Sequence, residues 1–117
     1  MISTDASFGK AIVDFSTTNK KIKDYFSEST SPLFIFPGFI ASNAEGATTT
    51  LGRGGSDYTG AIVAAALNAE VFEIWTDVSG MMTADPRLVS NTKLIPVLSY
   101  QEAMELSHFG AKVIYPP

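Results

Sequence analysis

An α/β fold with a mainly parallel sheet flanked by helices is predicted by three observations. Strand-like and helix-like segments alternate from Ala11 onward as β-α-β-loop-α-β-loop-α-β. Two apolar runs, LFIFPGFIA (33–41) and EVFEIWTDV (70–78), are near-continuous, as strands covered on both faces are. Between them an alanine-rich run, AIVAAALNA, follows the glycine-dense loop LGRGGSD and reads as a helix packed on that sheet.

At 117 residues with 45% apolar content, the chain suits one domain or part of one, able to bury a real core. A net charge of -4 and a pI near 4.7 argue against general binding to nucleic acid or an anionic membrane, which needs a basic face. There is no cysteine, so a disulfide framework and thiolate metal sites are excluded. No signal peptide and no apolar run of bilayer length is visible, and a cytoplasmic location is the expectation.

Met1 to Ser7 reads as a short extended piece and a polar turn, cut mid-fold. Ala11, Ile12, Val13 and Phe15 suit a short strand, after which Thr17 or Thr18 can cap a helix. In that helix Ile22, Tyr25 and Phe26 form the apolar stripe, and Lys20, Lys21, Lys23 and Asp24 a solvated face rather than a basic patch. Pro37 and Gly38 end or bend the strand at 33–41, because proline lacks the donor a central ladder requires. Backbone beyond them is free to face a ligand, although Phe39 and Ile40 themselves read first as core, the commoner fate of an aromatic. Ser42 to Thr50 is polar enough to read as loop.

The stretch TTTLGRGGSDYTG, Thr48 to Gly60, concentrates the unusual chemistry. A glycine loop entering a helix directs N–H groups and the positive end of the macrodipole toward one small volume, and Arg53 adds a guanidinium there. Neither familiar phosphate loop fits: no Gly-Lys-Ser/Thr ending is present, and Asp57 stands where a dinucleotide fingerprint needs glycine. An ordinary N-cap by Ser56, with Asp57 favouring the dipole, explains the cap alone. Arg53, between glycines with few side chains to pack on, points instead to a ligand or a distant carboxylate. The helix runs to about Asn68 with Ile62, Val63, Ala66 and Leu67 as its stripe; Gly60 interrupts it, and close helix-sheet packing is one reason.

The strand at 70–78 delivers Thr76 and Asp77 at its carboxyl end, where ligands bind in open α/β sheets. Asp85-Pro86-Arg87 reads by itself as an ordinary turn. Ser99 with Glu102 makes a capping box for a helix to Phe109, ending at Gly110. His108 in its last turn complements the dipole, and no second histidine exists for a metal pair. Ala111 to Tyr115 starts another strand.

Three collinear signatures, GFIASNAEGATTTLGRGGSDYTGAIVAAAL (38–67), WTDVSGMMTADPR (75–87) and FGAKVIYPP (109–117), resemble the aspartate kinases of the amino-acid kinase family. GRGGSD after TTTL is specific to that family; the Asp-Pro-Arg turn alone is not. The resemblance implies a three-layer α/β/α sandwich that transfers the γ-phosphoryl group of ATP, with Mg²⁺ held mainly through the phosphates, to the side-chain carboxylate of L-aspartate. That is the first step toward lysine, threonine and methionine. It also implies that Phe39, Arg53, Ser56 and Asp57 bind aspartate, with Arg53 on the α-carboxylate and Asp57 on the ammonium, and that Arg53 and Asp57 serve catalysis. Thr76, Asp77, Arg87 and Lys112 match nucleotide-contacting positions, and Met82 stands in the nucleotide loop where the family often has tyrosine. No protein-only metal site is implied, and the parent enzyme is expected to be a homo-oligomer.

The chemistry suits these residue types. A carboxylate nucleophile is already ionised at neutral pH and needs no general base, so electrostatics must hold two anions in line. The only two arginines, Arg53 and Arg87, both fall within the signatures. The family's domain is longer and begins with a lysine-glycine phosphate segment without counterpart here, and ACT-type regulatory domains usually follow it. The chain is therefore expected to be the C-terminal part of a catalytic domain, one partial domain over residues 1–117, inactive alone. The alternatives are a stand-alone nucleotide- and amino-acid-binding module, or a sister kinase acting on glutamate, acetylglutamate or UMP.

Overall fold

The computed structural model describes residues 1–109, which divide into two compact units, Met1–Ile74 and a second beginning at Trp75. The elements are α1 (Phe15–Glu28), β1 (Ile40–Ser42), β2 (Thr48–Thr50), α2 (Gly55–Leu67) and α3 (Tyr100–Phe109). The class is α/β. The only named sheet among the described residues is the antiparallel pair β1-β2, in register Ile40↔Thr50, Ala41↔Thr49, Ser42↔Thr48.

That hairpin corrects the reading of Ser42 to Thr50 as loop. Three successive β-branched threonines favour a pleated strand, and Thr49, 1% exposed, points inward. Asn43 closes the turn by accepting the Ala47 N–H at Oδ1 (2.8 Å), and Gly46 takes a positive φ of 81°. A polar composition concealed a strand whose inward polar group is satisfied rather than absent.

The N-terminus also contributes more than its sequence suggests. Ile2, Ser3 and Thr4 are buried, between residues 12–14 on one side and β1 on the other. Thr4 N–H donates to the Ser42 carbonyl (3.0 Å) and Ser42 N–H to the Ile2 carbonyl (3.1 Å), making a parallel contact. Asp5 N–H donates to the Ile12 carbonyl (3.0 Å) and Asp14 N–H to the Ser3 carbonyl (2.9 Å), making an antiparallel one. The strand expected at 11–15 is consequently shorter. Asp14, rather than Thr17 or Thr18, caps α1, which Phe15 opens. Thr18 turns inward, 0% exposed; its Oγ1 accepts the Ser3 N–H (2.9 Å) and donates to the Ser3 carbonyl (3.3 Å). The Thr4 and Thr49 hydroxyls meet at 2.6 Å, so the layer between helix and sheet is stitched by hydroxyls as well as by apolar contact.

The core of this unit joins Ile2, Val13, Ile22, Ala41, Leu51, Ile62 and Ala66, with Phe26, Val63 and Leu67 at its margin. The α1 stripe is Thr18, Ile22 and Phe26, while Tyr25 stays half-exposed. On α2 the predicted stripe holds, and Gly60 has its reason: a Cβ there would come 2.8 Å from the Phe72 ring. Asn68 ends α2 at a φ of 50°, and the following N–H of Ala69 reaches back to the Ala64 carbonyl (2.9 Å).

The runs at 33–41 and 70–78 depart from the expected buried parallel strands. Residues 33–36 keep the two-residue period: Phe34 and Phe36 pack on Phe26, with ring centroids 4.4 and 5.8 Å away, while Leu33 and Ile35 face outward. Residues 71–75 form no ladder, and Phe72 is turned to α2. Each run has the composition of a strand covered twice, yet only Ile40 and Ala41 at the end of the first enter a ladder, in β1, and the described residues offer no strand beside 33–36 or 71–75.

In the second unit residues 81–83 and 93–95 pair antiparallel through Met82↔Leu94, with Thr83 N–H to the Lys93 carbonyl and Ile95 N–H to the Met81 carbonyl, both 2.9 Å. The capping box of α3 is formed: Glu102 Oε2 accepts the Ser99 N–H (2.8 Å) and hydroxyl (2.7 Å). His108 Nδ1 lies 2.9 Å from the Met104 carbonyl in the last turn. Gly110 and the strand expected at 111–115 lie outside the described residues. No described helix is long and apolar enough to cross a membrane.

Two measurements check this account. Thr18→Ala leaves the buried Ser3 N–H without its partner, while the Ser3 carbonyl keeps the Asp14 N–H, and should lower unfolding free energy by about 1–3 kcal/mol in urea, with Thr18→Ser nearly neutral. Hydrogen bonds from Ile12 N–H and Ser7 hold Asp5, and those from the Thr17 hydroxyl and N–H hold Asp14, below the usual aspartate value of 3.8. The unfolded chain therefore takes up protons first. This stabilisation is complete above the unfolded value and is lost as pH falls through the lower folded values. Urea midpoints should fall with acidification in that window, less steeply in Asp5→Asn or Asp14→Asn.

Candidate functional site

The β2-α2 connection carries Arg53, and the first turn of α2 carries Ser56 and Asp57, with the Gly38-Phe39 segment close against the surface at that helix start. Leu51 N–H donates to the Phe39 carbonyl (3.0 Å), and the chain then turns tightly through Gly52 to Gly55, with Gly55 N–H on the Gly52 carbonyl (3.2 Å). Gly52 and Gly54 take positive φ values of 78° and 74°, so Arg53 rides between two residues whose backbone a side chain would strain. Arg53 is exposed, Asp57 half-buried in the first turn, and Ser56 exposed beside it. The N-cap of α2 is Gly54, and no side chain caps the helix. Ser56 is thus not the cap that its position suggested. It lies two residues beyond the cap, which frees its hydroxyl from that role.

Phe39 reaches this surface from the opposite direction. Its φ is 57°, left-handed backbone that costs a non-glycine residue about 1–2 kcal/mol. Two close approaches press it there. A Cβ on Gly38 would sit 2.7 Å from the Ser56 Cβ, and a Cβ on Gly55 would sit 2.7 Å from the Phe39 Cβ and 3.0 Å from the Leu51 Cβ. The Phe39 N–H donates to Thr59 Oγ1 (3.0 Å), whose own proton goes to the Gly55 carbonyl (2.8 Å). Phe39 remains 45% exposed, an aromatic face beside a helix N-terminus rather than core. Sequence reasoning noticed the glycines but missed Gly38 and Gly55 as contact points, and missed Thr59. The signal was Pro-Gly immediately before Phe39 together with a glycine pair at the helix start.

In the second unit Thr76 and Asp77 are exposed and adjacent, with the threonine hydroxyl on Asp77 Oδ1 (3.1 Å). Met82 sits in the antiparallel bridge. Asp85-Pro86-Arg87 is a turn, closed by Leu88 N–H on the Asp85 carbonyl (3.0 Å). Asp85 grips Arg87 in a fork, Nε to Oδ1 at 3.0 Å and the terminal nitrogen to Oδ2 at 2.6 Å, and this pairing raises the guanidinium's already high pKa. Arg87 stays 74% exposed, so its other edge faces solvent with the plane set. Lys112 lies outside the described residues. Among the described residues no three His, Asp or Glu side chains gather into a metal cage.

The whole chain, residues 1–117, matches the amino acid kinase family, and it belongs to that family. Within it the resemblance to aspartate kinases is borne out. The chain is 45% identical over 116 residues to a bifunctional aspartokinase/homoserine dehydrogenase of Buchnera aphidicola, covering 99% of this chain and 14% of that protein. It is 56% identical over 84 residues to the lysine-sensitive aspartokinase 3 of Escherichia coli, covering 72% and 19%. It superposes on crystalline E. coli aspartokinase III in complex with aspartate and ADP with a TM-score of 0.86 at 44% identity, over 98% of this chain and 26% of that one. The Clostridium acetobutylicum aspartate kinase gives 0.78 at 41%, over 98% and 25%. The chain thus spans 26% or less of each of these relatives.

Gly55→Ala should test the junction. Its Cβ has nowhere to go, so overpacking should cost about 1–3 kcal/mol and depress the thermal midpoint, whereas Gly46→Ser, with open space around its Cα, should show only the smaller backbone cost.

Proposed function

We propose that this chain is part of the catalytic domain of an aspartate kinase, carrying the aspartate subsite and part of the nucleotide subsite. The observation that supports the reading is the close approach of Gly38 to Ser56 and of Phe39 to Gly55 at a helix N-terminus that no side chain caps, with Arg53 on the loop just before it and Asp57 in its first turn. Opposite charges on one short turn suit a zwitterion: the Arg53 fork can take the α-carboxylate and Asp57 the ammonium. Ser56 supplies a hydroxyl and Phe39 an apolar wall. A solved relative at 44% identity was crystallised with aspartate and ADP, which supports the same ligands here.

The reaction follows from the substrate's own charge state. An oxygen of the aspartate side-chain carboxylate forms a bond to the γ-phosphorus of MgATP as the bond to the β-γ bridging oxygen breaks; ADP departs and aspartyl phosphate remains. No proton needs removal, so the chain's residues orient and neutralise. Thr76, Asp77, Met82 and Lys112 are assigned to the nucleotide, and Arg87 to its phosphates through the edge that Asp85 leaves open. Mg²⁺ arrives as part of the nucleotide. The rest of an α/β/α sandwich would come from further sequence, with the open sides of 33–36 and 71–74 as the lines where its strands continue. The isolated chain is read as inactive, and the parent enzyme as a homo-oligomer.

In the full-length enzyme, Arg53→Ala should raise the aspartate KM by roughly 10- to 100-fold, as loss of a charge-assisted partner of about 1.5–3 kcal/mol implies, while the MgATP KM moves little. A coupled assay of ADP release at varied aspartate reads this directly. Unchanged aspartate kinetics would remove Arg53 from the site.

A further inference from the structure

The proposed subsite leaves one polar group unexplained: the hydroxyl of Thr59, a residue only 7% exposed on the inner side of α2. Its bond to the Gly55 carbonyl, four residues back, is the ordinary resort of a threonine inside a helix. Its second bond is not local. Twenty residues away along the chain it accepts the N–H of Phe39 (3.0 Å), the one described non-glycine residue besides Asn68 with positive φ. The Phe39 carbonyl is taken by Leu51 N–H (3.0 Å), so both backbone polar groups of Phe39 are committed, one to the helix and one to the loop that precedes it.

We propose that Thr59 is a positioning residue for aspartate binding. Its hydroxyl clamps the left-handed Phe39 backbone against the first turn of α2 and thereby sets the spacing between the Phe39 ring and the Ser56-Asp57 edge. The inference rests on the reading of Phe39, Arg53, Ser56 and Asp57 as the aspartate subsite. Thr59 lies beneath that surface and touches no substrate in it. Three observations converge on this role. The bond joins the two segments that carry the subsite. It stabilises a backbone conformation that phenylalanine does not favour by itself. The glycines at 38 and 55 permit an approach so close that a small displacement of Phe39 has no slack to absorb it.

The test is steady-state kinetics on the full-length enzyme with Thr59→Val, Thr59→Ser and, in parallel, Arg53→Ala. Valine keeps the shape and removes the hydroxyl, so Phe39 loses its clamp while the core stays filled. Thr59→Val should raise the aspartate KM by about tenfold and leave the MgATP KM within about twofold, and Thr59→Ser should restore aspartate KM to near the parent value. Equal rises in both KM values, an unchanged aspartate KM with only a lower thermal midpoint, or a serine variant as impaired as the valine one would each overturn the proposal. If Thr59→Val yields no folded enzyme, Thr59→Ala carries the same expectation. Failure of both to fold would assign the hydroxyl to stability and overturn it as well. Arg53→Ala separates the two levels. An unchanged aspartate KM there removes Arg53 from the subsite on which the clamp rests, whereas a raised value beside a silent Thr59→Val refutes only the clamp.

Discussion

The first unit depends on how closely the backbone of residues 38–39 lies on the start of α2. Contacts of under 3 Å between would-be Cβ atoms and their neighbours, at both Gly38 and Gly55, leave room for hydrogen and nothing larger. Everything nearby follows from that proximity. Leu51 reaches the Phe39 carbonyl and enters the core, β2 leads directly into the glycine turn, and Arg53 stands out on a short arch because the backbone on both sides is already committed. Dispersion and hydrogen bonding fall off so steeply with distance that one added methyl group is a large perturbation here.

A second theme is the use of hydroxyls where aliphatic side chains would ordinarily do. Thr18, Thr49 and Thr59 are buried, and each finds a partner. No buried side-chain polar atom among the described residues is left without one. A threonine has nearly the volume of valine, so the packing survives, but its hydroxyl demands a defined partner and so penalises slipped registers. Ser3 gains its backbone anchor on α1 in this way, and Lys21 extends the connection by donating from Nζ to Ser3 Oγ (2.8 Å).

This explains which features were legible in the sequence. The helices were, because periodicity and caps are local: Ile22 and Phe26, the Ile62-Ala66 stripe, and the Ser99-Glu102 box depend on neighbours within one or two turns. The glycine turn and the residues on it were legible as a ligand-facing stretch. The hairpin at 40–50 was not, because β2 is polar in composition and its inward Thr49 gains its partner from Thr4, far away in sequence. The role of Ile2 to Thr4 was hidden for the same reason, since a three-residue segment has no period of its own. Thr59 was the least legible: a threonine inside a helix carries no sign that its hydroxyl holds a residue twenty positions earlier. The expected parallel ladder at 33–41 and 70–78 was read from composition, and composition states what a segment wants to be covered by, not whether the neighbour is at hand.

The half-covered segment Leu33 to Phe36 has a further consequence for how the chain behaves as a separate molecule. Four aromatic and aliphatic residues with one open side and no ladder are a template on which another chain can add a strand. Pro32 and Pro37 bracket those four residues. Each lacks the N–H that a growing ladder would need next, so any pairing is held to a stub too short to propagate into a fibril. The proline just before the Gly38-Phe39 bend also acts as a gatekeeper against misassembly.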